Sequence, residues 1–150
     1  PGGQSMGRVR AFVQPPPALA GLPSRCGGRI TMRLLLIVNA SPWGSTLAAT
    51  ALRFAQAAAA DGDHVAAVYF QGEGVYNALD GRLHDAGSVR LCEAWLHLAE
   101  AQEARLLLCS AAAARRIPGP VDEALPVNFE EVGLATLMEQ MTACDRVVSF

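Results

Sequence analysis

From Met32 onward, short unbroken apolar runs alternate with alanine-rich stretches of helical length. This pattern is the strongest constraint on the chain, because it is what stacked strand–helix–strand units leave in a sequence. The run Leu34-Leu35-Leu36-Ile37-Val38 has no polar interruption, as a parallel strand covered on both faces requires. Asn39 to Thr46 then reads as a turn containing Pro42 and Gly44, with Ser45 or Thr46 able to cap a helix that reaches about Ala60, where Asp61-Gly62-Asp63 stops it. His64 to Phe70 (HVAAVYF) is expected to be the second strand. Gln71 to Gly87 is loop-rich, with a short helical turn around Val75 to Leu79.

Ser88 is placed to cap a helix to about Gln102, with Val89, Cys92, Leu96 and Ala99 on one face. Arg105 to Cys109 (RLLLC) follows as the third strand. Ser110 to Arg116 turns directly into a helix, which Pro118-Gly119-Pro120 ends. Residues 121 to 130 read as a loop with an extended piece at Val127 to Phe129. Gly133 to Thr142 is a last helix and Arg146 to Phe150 a last strand. Right-handed connection of these units gives a flavodoxin-like three-layer α/β sandwich with a mostly parallel sheet of four or five strands. In such a sheet reactive groups gather at the carboxyl ends of the strands, here Asn39 to Ser45 and Cys109 with Ser110.

The first 31 residues differ in kind. They hold Pro15-Pro16-Pro17, Pro23, four arginines and no acid, without a hydrophobic period, and are expected to be a disordered leader or an upstream-derived segment, 1–31, ahead of an α/β domain at 32–150. The other eight arginines face all 14 acids in the remainder, and the chain has no lysine. No polybasic surface for nucleic acid or an anionic membrane is present. With 150 residues, 51% of them hydrophobic, the chain can bury a core without disulfides or a structural metal. Its four cysteines, Cys26, Cys92, Cys109 and Cys144, include no C-x-x-C pair and no histidine at ligand spacing, so neither a zinc site nor a disulfide framework is expected. A reducing cytosol suits this usage.

Cys109 is the position of greatest chemical interest. A thiol at a strand end that opens a helix lies near free backbone N–H groups and the positive end of the helix dipole, both of which favour thiolate. The plainer alternative is a small buried hydrophobe at the end of an apolar strand. Cys109 to Arg115 also forms a C-x5-R string, the spacing of cysteine phosphatases. The intervening Ser-Ala-Ala-Ala-Ala has no glycine to let a phosphate loop curl, and alanine favours helix. Asn39 to Ser45 occupies the place of a flavodoxin phosphate loop but lacks its dense hydroxyl and glycine pattern. His64, His84 and His97 are widely spaced surface or strand-edge residues, Cys92 and Cys144 read as core, and Cys26 falls in the leader.

Taken in order, several segments resemble the DsrE/TusD family of sulfur-relay proteins across essentially Met32 to Phe150. They are Ala55-Gln56-Ala57 leading to Ala60-Asp61-Gly62, Val68-Tyr69-Phe70 running into Glu73-Gly74-Val75-Tyr76-Asn77-Ala78, and Ala94-Trp95. Further on come Cys109 with Ala111 to Ala113 and Arg115-Arg116, Val121-Asp122-Glu123, Gly133-Leu134, and Cys144-Asp145-Arg146-Val147-Val148 before Phe150. The resemblance implies a flavodoxin-like sulfurtransferase subunit in which Cys109 is the persulfide-carrying cysteine, without metal or organic cofactor. It implies sulfur received from and passed to carrier proteins, toward 2-thiolation of the wobble uridine of tRNA. It also implies hetero-oligomeric assembly with related subunits of TusB/TusC or DsrF/DsrH type, and no direct contact with nucleic acid or membrane. Two other readings stay open: a non-catalytic assembly subunit of a sulfur-oxidation complex, and a flavodoxin-like ligand-binding domain using Asn39 to Ser45.

Overall fold

The computed structural model describes residues 30–79, 90–119, 125–126 and 128–150. Five strands form one sheet: β1 (Arg33–Val38), β2 (His64–Phe70), β3 (Arg105–Cys109), β4 (Phe129–Val132) and β5 (Arg146–Ser149). Every pairing is parallel and the order is β4-β3-β2-β1-β5. Helices α1 (Leu47–Ala60), α2 (Leu91–Gln102), α3 (Ser110–Arg116) and α4 (Leu134–Ala143) join them, with a 3-10 turn over Gly72–Ala78. The expected α/β sandwich with a four- or five-stranded parallel sheet is therefore what forms, with five strands.

Strand order and the right-handed crossover rule together decide where the helices lie. The first three crossovers step one strand at a time in one direction, so α1, α2 and α3 pack on the same face. The last crossover leaves β4 at one edge and returns past three strands to β5 at the other, which puts α4 on the opposite face. That return covers about 19 Å at the usual strand spacing, and among the described residues the face it crosses receives a single helix of 10 residues. The two faces are unequal as a result.

The three-helix face is sealed. Leu36, Val38, Val65, Val68, Phe70, Leu106 and Leu108 meet Ala48, Ala51, Leu52 and Ala55 of α1, Cys92, Trp95 and Ala99 of α2, and Ala112 and Ala113 of α3. Alanines let the helices approach the sheet closely, and Trp95 fills the remaining volume edge-on to Phe70, with ring centroids 5.4 Å apart. The single-helix face holds a smaller cluster of Leu35, Ala67, Tyr69, Leu107 and Leu137. Leu137 is the buried residue of α4, while Leu134, Met138 and Met141 stand exposed along its outer side.

Several boundaries differ from the sequence expectation. β4 starts at Phe129, where the expected extended piece ended, and runs on through Glu130 and Glu131; Val127 lies outside the described residues. α2 buries Leu91, Cys92, Trp95, Leu98 and Ala99, with Leu96 half-buried, so its inner face turns toward Trp95. Ser88 and Val89, expected to open that helix, lie outside the described residues. Thr46 occupies the N-cap of α1 without a side-chain bond, and Leu47 N–H donates instead to Ser45 Oγ at 3.1 Å. The expected leader falls almost wholly outside the described residues, as do Cys26 and His84.

Candidate functional site

Cys109 is both the last residue of β3 and the N-cap of α3, with φ −63° and ψ 112°. The extended conformation ends the strand and the next residue starts the helix, so the side chain sits at the carboxyl edge of the sheet. Cys109 is half-buried and packs against both core clusters at the edge of the sheet. Its partner across the ladder is Val132, which is followed at once by Gly133, the N-cap of α4. Two helix N-termini thus open beside one thiol, and neither cap residue makes a side-chain capping bond. The first-turn N–H groups of such helices have no intrahelical acceptor and carry partial positive charge.

Beneath the thiol lies Tyr69 of β2. It pairs with Leu107, two residues before Cys109, and is 2% exposed. Cys109 follows Leu107 by two residues on the same side of the sheet, and both Tyr69 and Cys109 pack in the cluster on that face. Burial pushes the phenol far above its ordinary range, and the neighbouring Cys109 pushes it the same way. The group is a proton donor throughout the physiological range. Sequence reasoning missed it because HVAAVYF is an unbroken apolar run from which no face can be read. A usable signal was its place one residue before the end of the strand next to β3.

The remaining candidates are accounted for. Residues 110–116 are helical, so Arg115 and Arg116 sit in the last turn of α3, Arg115 exposed, rather than folded over the sulfur as a phosphate-cradling loop needs. Asn39 lies at the β1/β5 switch point of the strand order, where a flavodoxin-like domain would take a ligand. Its amide donates to Ser149 Oγ at 3.1 Å and to the Phe150 carbonyl at 3.3 Å, while Gln71 Nε2 donates to its Oδ1 at 2.7 Å. These bonds join β1, β5 and the segment after β2. His64 is half-buried at the start of β2 and His97 is exposed on α2. Cys92 is buried, with Sγ donating to the Ala78 carbonyl. Cys144 is half-buried at the amino end of β5, and burial pushes its thiol up.

The Glu73-Gly74-Val75-Tyr76-Asn77-Ala78 segment is a clamp on the loop after β1. A Cβ on Gly74 would collide with the Val38 carbonyl oxygen, so glycine alone fits. Asn77, 1% exposed, donates from Nδ2 to the carbonyls of Ala40 at 3.0 Å and Gly74 at 2.8 Å. Tyr76 packs on Trp43 with centroids 5.6 Å apart. The segment fixes the carboxyl edge of the sheet from the β1 side.

Comparisons with known proteins agree with this architecture. Residues 32–150 match the model of the DsrE/DsrF-like family. The Sulfurtransferase TusD homolog of Vibrio vulnificus (strain CMCP6) is 37% identical over 129 residues, covering 80% of this chain and 98% of that protein. The Sulfurtransferase TusD of Enterobacter sp. (strain 638) is 36% identical over 130 residues, covering 79% of this chain and all 100% of the relative. The crystal structure of the ychN protein of E. coli superposes with a TM-score of 0.67 at 20% identity, over 80% of this chain and 100% of the other, which is a likeness of fold. On its sequence match and its sheet alike, the chain belongs to the DsrE/DsrF-like family.

Proposed function

We propose that this protein is a sulfur-relay sulfurtransferase subunit in which Cys109 carries a persulfide. The observation that carries the reading is the position of Cys109, half-buried at the carboxyl end of β3, in a domain 36–37% identical to proteins named Sulfurtransferase TusD or its homolog. In loading, the Cys109 thiolate attacks the terminal sulfur of a donor persulfide. The donor's S–S bond breaks, a new S–S bond forms on Cys109, and the donor sulfur leaves as a thiolate. In unloading, an acceptor thiolate attacks the terminal sulfur and Cys109 departs as thiolate. Neither step needs an external oxidant or reductant, and none calls on a metal.

The acceptor route we favour leads through carrier proteins toward tRNA wobble-uridine 2-thiolation in the cytosol, as the resemblance to the DsrE/TusD family implies. Assembly with related subunits is supported by Leu134, Met138 and Met141, an apolar stripe at spacings of four and three on α4, 68%, 53% and 38% exposed. The ligand-binding alternative is disfavoured because Asn39 is committed to bonds within the sheet edge. The test is Cys109→Ser in a reconstituted transfer assay with a persulfide donor protein. Transfer is expected to fall to background while circular dichroism and assembly stay as in the wild type; retained transfer would leave the protein as a non-catalytic assembly subunit.

A further inference from the structure

Trp43 is 37% exposed, yet the loop that carries it is fixed from several directions. Its own N–H donates to Ser41 Oγ at 3.3 Å. The buried Asn77 amide donates to the Ala40 carbonyl at 3.0 Å, and the indole rests at a tilt on Tyr76, with ring centroids 5.6 Å apart. Gly74 brings this clamp segment so close to the end of β1 that a Cβ there would strike the Val38 carbonyl. Trp43 belongs to neither core cluster, so core packing does not account for the way it is held. A large aromatic ring that is exposed and already fixed in place is the kind of side chain that anchors a binding partner, because little ordering entropy remains to be lost.

The Trp43 loop leaves the carboxyl end of β1 as Cys109 leaves that of β3, and the clamp segment under Trp43 packs against α3, the helix that Cys109 opens. Residues 39–47 carry no charge, and Leu47 stands 50% exposed at the start of α1. We propose that Trp43, with Leu47, is the docking point for the protein segment that exchanges sulfur with Cys109, an uncharged segment with apolar side chains beside its cysteine. The proposal rests on the sulfur-carrier reading. Transfer needs direct contact between the two sulfurs, so the partner's cysteine segment must lie over the carboxyl edge. An uncharged rim there favours apolar side chains and leaves a charged one to be desolvated without a counter-ion. The clamp packs on the three-helix face and the exposed stripe of α4 lies on the other, so an exchange partner comes and goes without displacing an assembled subunit.

The probes are two short synthetic peptides, each with a single persulfidated cysteine, flanked by leucine and valine in one and by aspartate in the other. Inorganic polysulfide serves as a donor with no apolar segment to dock. Loading of Cys109 in the full chain is followed by intact mass; the Cys109 thiolate takes the terminal sulfur and the peptide leaves as a thiolate, so no further reactant is needed. KM for the apolar-flanked peptide is expected to be about three- to tenfold below that for the acid-flanked one, at low and high salt alike. Trp43→Ala should remove this difference while loading by polysulfide stays as in the wild type. Equal KM values in the wild type, or a preference retained in Trp43→Ala, would overturn the proposal. So would a changed oligomeric state in that variant, which would make the surface a subunit contact. Docking is also read without transfer: the apolar-flanked peptide in its thiol form is expected to shield Trp43 from acrylamide quenching, Trp95 being shielded already at 0% exposure. Absence of protection would overturn the proposal even if Trp43→Ala failed to fold. A wild type that polysulfide does not load, with the protection still present, would sink the carrier reading and leave the docking surface standing.

Discussion

The two faces of the sheet are built from the same strands yet carry different duties. On one, three helices press alanines against the sheet and Trp95 closes the centre at 0% exposure. On the other, α4 is the one helix among the described residues, anchored by Leu137, with Cys109 half-buried at the edge beside Tyr69. The difference follows from topology. A strand order that steps one way from β1 to β4 and returns to β5 in one right-handed crossover puts α1, α2 and α3 on one face and α4 on the other. The larger core lies on the crowded face, and the proposed carrier thiol lies at the edge of the thin one.

The comparison can be broken from either side. Trp95→Ala on the sealed face should cost about 3–5 kcal/mol, read as a loss of most or all cooperative unfolding in urea. An effect below about 1 kcal/mol would mean that this face is not the stabilising one. Leu137→Ala on the thin face removes the buried anchor of α4 and should cost about 2 kcal/mol, the low end for such truncations, because a cavity beside solvent can collapse or fill. If it equals Trp95→Ala, the faces are energetically alike.

The smallest effect is expected at the Arg105–Glu130 pair, which links β3 to β4 by two bonds of 3.2 and 2.6 Å. The Arg105 guanidinium holds the Glu130 carboxyl below its usual range, so its contribution is present above that usual range and is lost as pH falls through the lowered value. Both side chains are more than two-fifths exposed, which limits the contribution to a few tenths of a kcal/mol. Glu130→Gln should therefore be slightly less stable than wild type at neutral pH and indistinguishable from it in acid, as thermal melts across that range would show.

Much of the fold was legible because it depends on what a linear reading detects. β1, β2 and β3 are continuous apolar runs, and α1 and α3 are alanine-rich stretches with clear stops. β4 was read as ending at Phe129 because Glu130 and Glu131 interrupt the apolar signal, although an edge strand accommodates such charges. The inner face of α2 was placed toward Leu96 because spacing alone does not weigh a tryptophan against a leucine. Cys109 was legible from its place between strand and helix. The place of Tyr69 beside Cys109 was not, because it is set by the pairing of β2 with β3, and a register shift of β1 against β2 between Leu34 and Leu35 adds a break in the alternation that single-strand parity does not reveal.

The most direct measurement is the intact mass of the protein after incubation with a sulfane-sulfur donor, with and without reductant, for the wild type and Cys109→Ser. The account requires a reductant-labile gain of one sulfur in the wild type and none in the variant, although Cys26, Cys92 and Cys144 remain. An equal gain in Cys109→Ser, or no gain in the wild type under conditions that load a known carrier, would contradict it.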